Sequence, residues 1–359
     1  DNRNMEIKLG NKLIGSNHKT YFIADIAANH DGDIERAKKL ILLAKEAGAD
    51  AAKFQHFETK SFASEKGFKG LGGKFSHQSK WKKAVFDVYQ DAEVPEDWTA
   101  VLKNYCDFLG IDFFSTPYGL NIVDHLNPYV PAFKIGSGDI NFPQILKKVS
   151  ITGKPVLIST GASTIEEVRF ALKEIKKYNK EIVLFQCNTN YTGSEDNFKY
   201  IHLNVLKKYQ KEFPEVILGL SDHTQGDITV LGAVALGARV IEKHFTDDTK
   251  REGPDHPFSL DPPSWKKMVQ RVRILEKSLG NENKKIEKNE IETVILQRRC
   301  IRAKKNILEG SLVKEEDIEF QRPAPAGSLS PKHSPEIVGK RALRDISKED
   351  VLNWENIQK

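Results

Sequence analysis

His223 stands just beyond the apolar run 216–220, and His244 just beyond a second strand-like run, 239–243, centred on Val240 and Ile241. If those runs are neighbouring strands, about 4.8 Å apart, the two imidazoles at their tips can share one divalent ion. Such sparse ligation leaves positions open for substrate oxygens and water. The plainer alternative is a pair of hydrogen-bonded histidines. Lys53 and Lys134 also abut apolar, β-branched runs, where turn chemistry favours Ser, Asp or Asn rather than lysine. With Ser137 and the backbone of Gly138 they can bind an anion, phosphate above all; as structural residues they would be salt-bridged. Asp25, Asp139 and Asp255 can move protons if their surroundings raise a pKa, and are otherwise hydrogen-bond acceptors. Cys187, flanked by apolar residues, reads as core packing rather than a nucleophile.

These groups need a scaffold that gathers sequence-distant run ends. Eight apolar segments read as strands, at 21–27, 51–54, 112–115, 132–135, 155–159, 182–187, 216–220 and 239–243. Amphipathic stretches separate them. Ile34, Ala37, Leu40, Ile41, Ala44 and Ala47 recur at spacings of three and four, with Asp33 placed to cap that helix and Gly48 to end it. Thr164-Ile-Glu-Glu reads as a capping box before Val168, Ala171 and Leu172, and a further helix is predicted over 262–279. Eight strand–helix alternations within about 260 residues match the count and length of a (β/α)8 TIM barrel. A doubly wound open sheet would favour a glycine-rich turn after its first strand, where this chain has Ile26-Ala-Ala-Asn-His-Asp-Gly.

In a barrel the chemistry gathers at the C-terminal ends of the strands. Here those ends carry Asp25, Asn29 and His30, then Lys53 and Gln55, then Ser115 and Thr116. Lys134, Ser137 and Asp139 follow, with Ser159 and Thr160, and then Thr189, Asn190 and Tyr191. The last two ends give Ser221, Asp222 and His223, and finally His244. One connection, 57–94, is too long for an ordinary βα loop, and is either a cover for the site or a solvated excursion.

Residues 1–280 therefore form the barrel domain with an N-terminal extension, 281–297 a polar linker, and 298–359 a small second domain of short β-branched stretches. So small a domain has a limited core of its own unless it docks on something. The composition, 39% hydrophobic and 29% charged, excludes a disordered chain. The longest apolar candidate, 230–241, is 12 residues and contains Arg239, which excludes a membrane span. A net charge of +5 without a basic, aromatic-interleaved stripe speaks against nucleic acid. Three scattered cysteines without CxxC spacing exclude a disulfide framework and suit a reducing cytoplasm.

Taken in order, several motifs resemble the sialic acid (nonulosonic acid) synthases. They are Ile23-Ala-Asp-Ile-Ala-Ala-Asn-His-Asp-Gly, Ala52-Lys-Phe-Gln, Phe114-Ser-Thr-Pro and Lys134-Ile-Gly-Ser-Gly-Asp, then Gly219-Leu-Ser-Asp-His, Glu242-Lys-His-Phe-Thr and Gly253-Pro-Asp-His. The tail from Arg298 through Gln321-Arg-Pro resembles that family's antifreeze-like SAF domain. The resemblance implies condensation of phosphoenolpyruvate with an N-acetylated aminosugar, giving a nine-carbon 2-keto acid and phosphate. It implies a divalent metal, Mn2+ first and Mg2+ or Co2+ as alternatives, held by His223 and His244 and polarising the sugar's aldehyde oxygen. It places Lys53, Thr116, Lys134, Ser137, Thr189 and Ser221 at phosphoenolpyruvate, and Gln55, Tyr191 and Asp255 near the sugar. Asp25 and Asp139 match the active-site carboxylates. Arg322 matches an arginine that acts in trans on the sugar's acyl-amino group across a domain-swapped homodimer.

The chain departs from the family at several points. Bacterial relatives commonly carry Glu where this chain has Asp25 and Asp139, and each Asp shortens the reach by about 1.5 Å. Cys187-Asn-Thr-Asn-Tyr-Thr lacks the usual Thr after Cys and Pro after Tyr, and Cys300 replaces a usual serine. Gln321-Arg-Pro-Ala-Pro-Ala-Gly-Ser departs from the glycine-rich form after Arg-Pro. Two rival functions remain: a metal-dependent carbonyl-lyase or aldolase barrel, and a non-catalytic sugar-binding relict. The sugar itself stays open among N-acetylmannosamine, a 2,4-diacetamido-6-deoxyhexose and a phosphorylated sugar.

Overall fold

In the computed structural model, which describes residues 5–359, a hairpin of β1 (Glu6–Leu9) and β2 (Lys12–Gly15) precedes eight parallel strands. These are β3 (Tyr21–Asp25), β4 (Ala51–His56), β5 (Asp112–Pro117), β6 (Phe133–Ile135), β7 (Val156–Ser159), β8 (Ile182–Cys187), β9 (Ile217–Asp222) and β10 (Val240–His244). Their ladder order is β5-β4-β3-β10-β9-β8-β7-β6, and β5 and β6 lie against one another. The sheet thus curls into a nearly closed TIM barrel. All eight expected strands are present. The first stops two residues early, because Ala27 turns the chain at φ 45. The second runs two residues further, because Gln55 and His56 ladder with Thr116 and Pro117.

Strand alternation sorts every side chain to one of two faces. Phe22, Ala24, Ala52, Phe54, Phe113, Phe133 and Ile241 face outward into a large apolar layer shared with the helices. Tyr21, Ile23, Ala51, Phe114, Ala132, Leu157, Val183 and Val240 face inward and form a second apolar cluster. Ile7, Leu9 and Ile14 of the hairpin belong to that inner cluster, so the hairpin closes the N-terminal end of the barrel. Continuing the same alternation toward the C-terminal ends brings Asp25, Lys53, Lys134, Ser159, Ser221, Glu242 and His244 to the barrel's interior. The lower barrel is dry and the upper barrel polar.

Local chemistry starts and stops the helices as expected. Asp33 caps Ile34–Glu46 through the Glu35 N–H, and the chain leaves that helix through Gly48 at φ +94. Thr164 and Glu167 form a reciprocal capping box at the start of Ile165–Lys176. The helix Pro262–Leu279 is present as predicted.

The chain divides at Gly280 into two units. The second contains an antiparallel pair, β11 (Cys300–Ala303) and β12 (Ile318–Gln321), and its own core around Ile301, Ile307, Val313, Ile337 and Leu352. Residues 281–297 are not uniformly a linker: Ile291–Gln297 is a helix, because Ile-Glu-Thr-Val-Ile-Leu-Gln contains no glycine or proline to break it.

Candidate active site

A cavity of about 450 Å³ opens at the C-terminal ends of the strands. Asp25, Lys53, Gln55, Thr116, Lys134, Ser137, Asp139, Thr189, Tyr191, Ser221, His223, His244 and Asp255 all line it. Thirteen residues picked along more than two hundred positions therefore converge on one space. Arg322 lies in the second unit, where it is exposed.

The floor is an ionic cluster. Lys53 Nζ lies 3.1 Å from Asp25 Oδ2 and 3.0 Å from Glu242 Oε2, and donates to Thr116 Oγ1 at 3.3 Å. Lys134 Nζ donates to the other Glu242 oxygen, Oε1, at 3.2 Å, and Ser221 Oγ donates to the same atom at 3.0 Å. Burial alone would neutralise Lys53, but Asp25 and Glu242 hold its pKa above the usual lysine value. Lys134 is lowered by burial despite Glu242, with Lys53 adding repulsion. Burial would raise Glu242, yet the two lysines hold it well below the usual carboxylate range. Asp25 goes the other way, raised by burial against the pull of Lys53. Asp139 and Asp255 are likewise raised by burial, Asp255 while accepting the Ala28 N–H at 3.0 Å. The site thus separates one committed anion from three carboxyls suited to holding protons.

His223 and His244 face each other with ring centroids 5.3 Å apart. His223 Nδ1 is 2.9 Å from the Asn188 carbonyl, an acceptor only, so this nitrogen carries the proton and Nε2 keeps its lone pair. His244 Nδ1 is buried without a partner, and its Nε2 is 3.5 Å from Asp25 Oδ2. Burial lowers both pKa values to about 4, so both rings are neutral at pH 7. Among the described residues no cluster of three or more His, Cys, Asp or Glu is arranged around an ion position. The donor set nevertheless fits a divalent ion held by two imidazoles: both are neutral, one keeps a free Nε2, and the other has a buried nitrogen with no protein partner.

Gly161 shows how closely the far wall approaches. A Cβ there would meet Thr189 Cγ2 at 2.2 Å, and the Gly161 N–H donates to Ser137 Oγ at 2.9 Å. Cys187 lines the cavity with its thiol pushed up to about 11 by burial, so the core-packing reading agrees with its chemistry.

Other polar strand ends do not join the site. Asn29 bonds the Phe245 carbonyl and Ser259, and His30 packs edge-on against Trp98. Ser115 bonds His56, Thr160 bonds the Phe185 carbonyl, and Asn190 bonds within its own loop. Asp222 pairs with Lys243 at 2.8 Å outside the cavity. Conversely, the sequence reading passed over Glu242 and Tyr118, both of which line the cavity. The signal for Glu242 was present: it stands two residues before His244 and so shares its face. The long connection supplies Phe57, Phe62, His77, Trp81 and Tyr89 to the lining, so it covers the site.

Fold and cavity together define a barrel protein that holds buried lysines and carboxyls raised by burial beside two neutral histidines. The chain belongs to the NeuB family, whose sequence pattern matches residues 40–284, and it carries a SAF domain at 298–358. It is 38% identical to the uncharacterized protein MJ1065 of Methanocaldococcus jannaschii over 98% of each chain. It is 34% identical to the N,N'-diacetyllegionaminic acid synthase of Legionella pneumophila, covering 97% of this chain and 98% of that one. The solved structure of N-acetylneuraminic acid synthetase from Leptospira borgpetersenii matches with a TM-score of 0.71 at 28% identity, over 81% of this chain and 95% of that one.

Proposed function

We propose that the chain joins phosphoenolpyruvate to the open-chain form of an N-acylated aminosugar, consuming water and releasing phosphate to give a nine-carbon 2-keto sugar acid. The observation that carries this reading is the pair of buried lysines bracketing Glu242, which shares its strand with neutral His244 and neighbours the strand that ends at neutral His223. Lys53 and Lys134 hold the phosphate and carboxylate of phosphoenolpyruvate, with hydroxyl donors from Thr116, Ser137, Thr189 and Ser221 around them.

The reaction forms a bond between carbon 3 of phosphoenolpyruvate and the aldehyde carbon, and the aldehyde oxygen takes up the electron pair. Water then adds at carbon 2, and the tetrahedral intermediate expels inorganic phosphate to leave the keto group. Asp25 lies between Lys53 and His244 and is placed to move a proton there; Asp139 lines the cavity wall. Asp25, despite its shorter side chain, contacts Lys53 directly. His223 and His244 would hold the divalent ion, Mn2+ or alternatively Mg2+ or Co2+, which supplies Lewis-acid stabilisation of the developing alkoxide. Gln55, Tyr191 and Asp255 meet the sugar. In this reading the chain works as a domain-swapped homodimer, with Arg322 of the partner subunit on the acyl-amino group. Three buried free thiols suit a reducing cytoplasm, and no described helix is long and apolar enough to cross a membrane.

The test is phosphate release from phosphoenolpyruvate with Mn2+, measured with and without aminosugar, together with mass spectrometry of the product. Sugar-dependent release and a nine-carbon keto acid support the reading. Phosphate release without sugar, or none with any sugar, overturns it.

A further inference from the structure

Among the described residues three lysines are buried, and two of them, Lys53 and Lys134, line the cavity. The third, Lys243, is 1% exposed and has no part in the reaction above. Alternation explains its place. Glu242 and His244 point into the barrel, so Lys243 between them points outward, on the side of the apolar layer that includes Leu220, Ile241 and Phe245. Asp222, between Ser221 and His223, points the same way, and the ladder of β9 and β10 sets the two residues opposite one another.

The ammonium is fully engaged. Lys243 Nζ donates to Asp222 Oδ2 at 2.8 Å, to the Thr224 carbonyl at 2.8 Å and to the Gly226 carbonyl at 2.7 Å, which uses all three of its protons. Asp222 Oδ2 also accepts from the hydroxyls of Thr224 at 2.7 Å and Thr229 at 2.8 Å. His223 lies one residue past the end of β9, where the turn begins. Lys243 grips both of its chain neighbours, the Asp222 carboxylate before it and the Thr224 carbonyl after it. His244 follows Lys243 directly, and its own carbonyl takes the Trp265 indole N–H at 3.2 Å and the Leu260 N–H at 3.0 Å. One side chain therefore ties the chain on both sides of one imidazole to the residue next to the other. Burying two charges in an apolar layer adds little net stability, because desolvation offsets their attraction. What the pair adds is direction: four short hydrogen bonds allow one arrangement of this turn.

We propose that Lys243 and Asp222 are positioning residues for the divalent ion, holding His223 and His244 at the separation, 5.3 Å between ring centroids, at which two imidazoles share it. This deepens the reading above and rests on it for the ion itself. Neither residue touches the ion or a substrate; both act through the backbone that carries the two rings.

The test uses the full-length protein with Mn2+ as the probe. Bound ion is read from loss of the free-ion electron paramagnetic resonance signal, phosphoenolpyruvate affinity without metal by calorimetry, and folding by thermal melting. Asp222→Asn combined with Lys243→Met removes both charges and keeps an acceptor for the two threonine hydroxyls. This double variant should melt cooperatively, bind Mn2+ about tenfold more weakly, and bind phosphoenolpyruvate within about twofold of wild type. Thr229→Val, which keeps the shape of the side chain and takes one hydroxyl from Asp222, should weaken Mn2+ binding about threefold, and it decides the matter should the double variant not fold. Unaltered Mn2+ affinity in a folded variant overturns the proposal, as does equal weakening of Mn2+ and phosphoenolpyruvate, which marks a general loosening of the barrel. Mn2+ binding that is lost in His223→Ala yet unaltered in the double variant overturns the proposal alone. Wild-type protein that binds no Mn2+ overturns the ion site, and the proposal with it.

Discussion

Lys53 reaches one oxygen of Glu242 at 3.0 Å, while the carboxylate's other oxygen takes Lys134 at 3.2 Å. A single carboxylate thus separates two buried ammonium groups. Desolvating three charges is costly, and mutual attraction recovers that cost only while all three are present.

Glu242→Gln should therefore be worse than the loss of one ion pair. Breaking such a buried arrangement destabilises by about 3–5 kcal/mol, and Lys134, already lowered by burial, would lose its proton more readily. We expect a clear drop in Tm and a KM for phosphoenolpyruvate raised about tenfold or more. Combining it with Lys134→Met should restore much of the Tm and none of the activity. Wild-type melting and kinetics for Glu242→Gln would show that the cluster is dispensable.

The histidine pair yields a prediction with a readout besides activity. His223→Ala and His244→Ala should each lower kcat by roughly three orders of magnitude or more, with circular dichroism unchanged. Mn2+ titrated into wild-type protein should lose its free-ion electron paramagnetic resonance signal, and either variant should weaken that loss. An active double-alanine variant removes the metal assignment.

Most of this architecture is legible from alternation and spacing. The eight strands are readable because each carries a short apolar stretch buried on both faces, as parallel barrels demand. The cavity residues were found because they stand at run ends. Glu242 was missed because it lies inside its strand, one pleat below His244, rather than at the run's end. The N-terminal hairpin was unread for a different reason: its strands are only four residues long, with Ile7 and Leu9 alternating with polar residues in one and Ile14 between Leu13 and Gly15 in the other. Nothing local shows that they close a barrel. The part of the cavity lining that Phe62, Trp81 and Tyr89 supply depends on how an irregular 57–94 segment folds back, and that is set by tertiary packing rather than by any period.

Arg322 gives a prediction about assembly. Arg322→Ala should raise the KM of the sugar more than that of phosphoenolpyruvate. If the arginine acts in trans, co-expressing Arg322→Ala with Lys53→Ala yields mixed dimers that each contain one intact site. Random pairing would then restore roughly a quarter of wild-type activity. No recovery in purified mixed dimers, or equal shifts in both KM values, removes the cross-subunit role.

Buried neutral histidines set the acid limit of the fold. His56 bonds Ser115 and Thr99, and burial lowers its pKa from 6.5 to about 3; His30 is lowered by burial to about 4. The unfolded chain therefore binds protons that the folded chain refuses once pH drops below 6.5. Where the unfolded state binds more protons, stability falls as pH falls, by about 1.4 kcal/mol per pH unit for each such group. The loss begins near pH 6.5 and continues until the folded values are reached. Glu242 acts in the same direction at lower pH, since its depressed pKa contributes stability that disappears as pH drops below 4.5. Asp25, Asp139 and Asp255, raised by burial, act in the opposite direction, so Tm measured from pH 7.5 to 4.5 should fall with a slope set by the histidines and reduced by these carboxyls. His56→Gln, which keeps a polar side chain between the two hydroxyls without a titrating ring, should flatten that slope even if it lowers Tm at pH 7.5. An unchanged slope in His56→Gln would mean that this ring is not a source of the acid sensitivity.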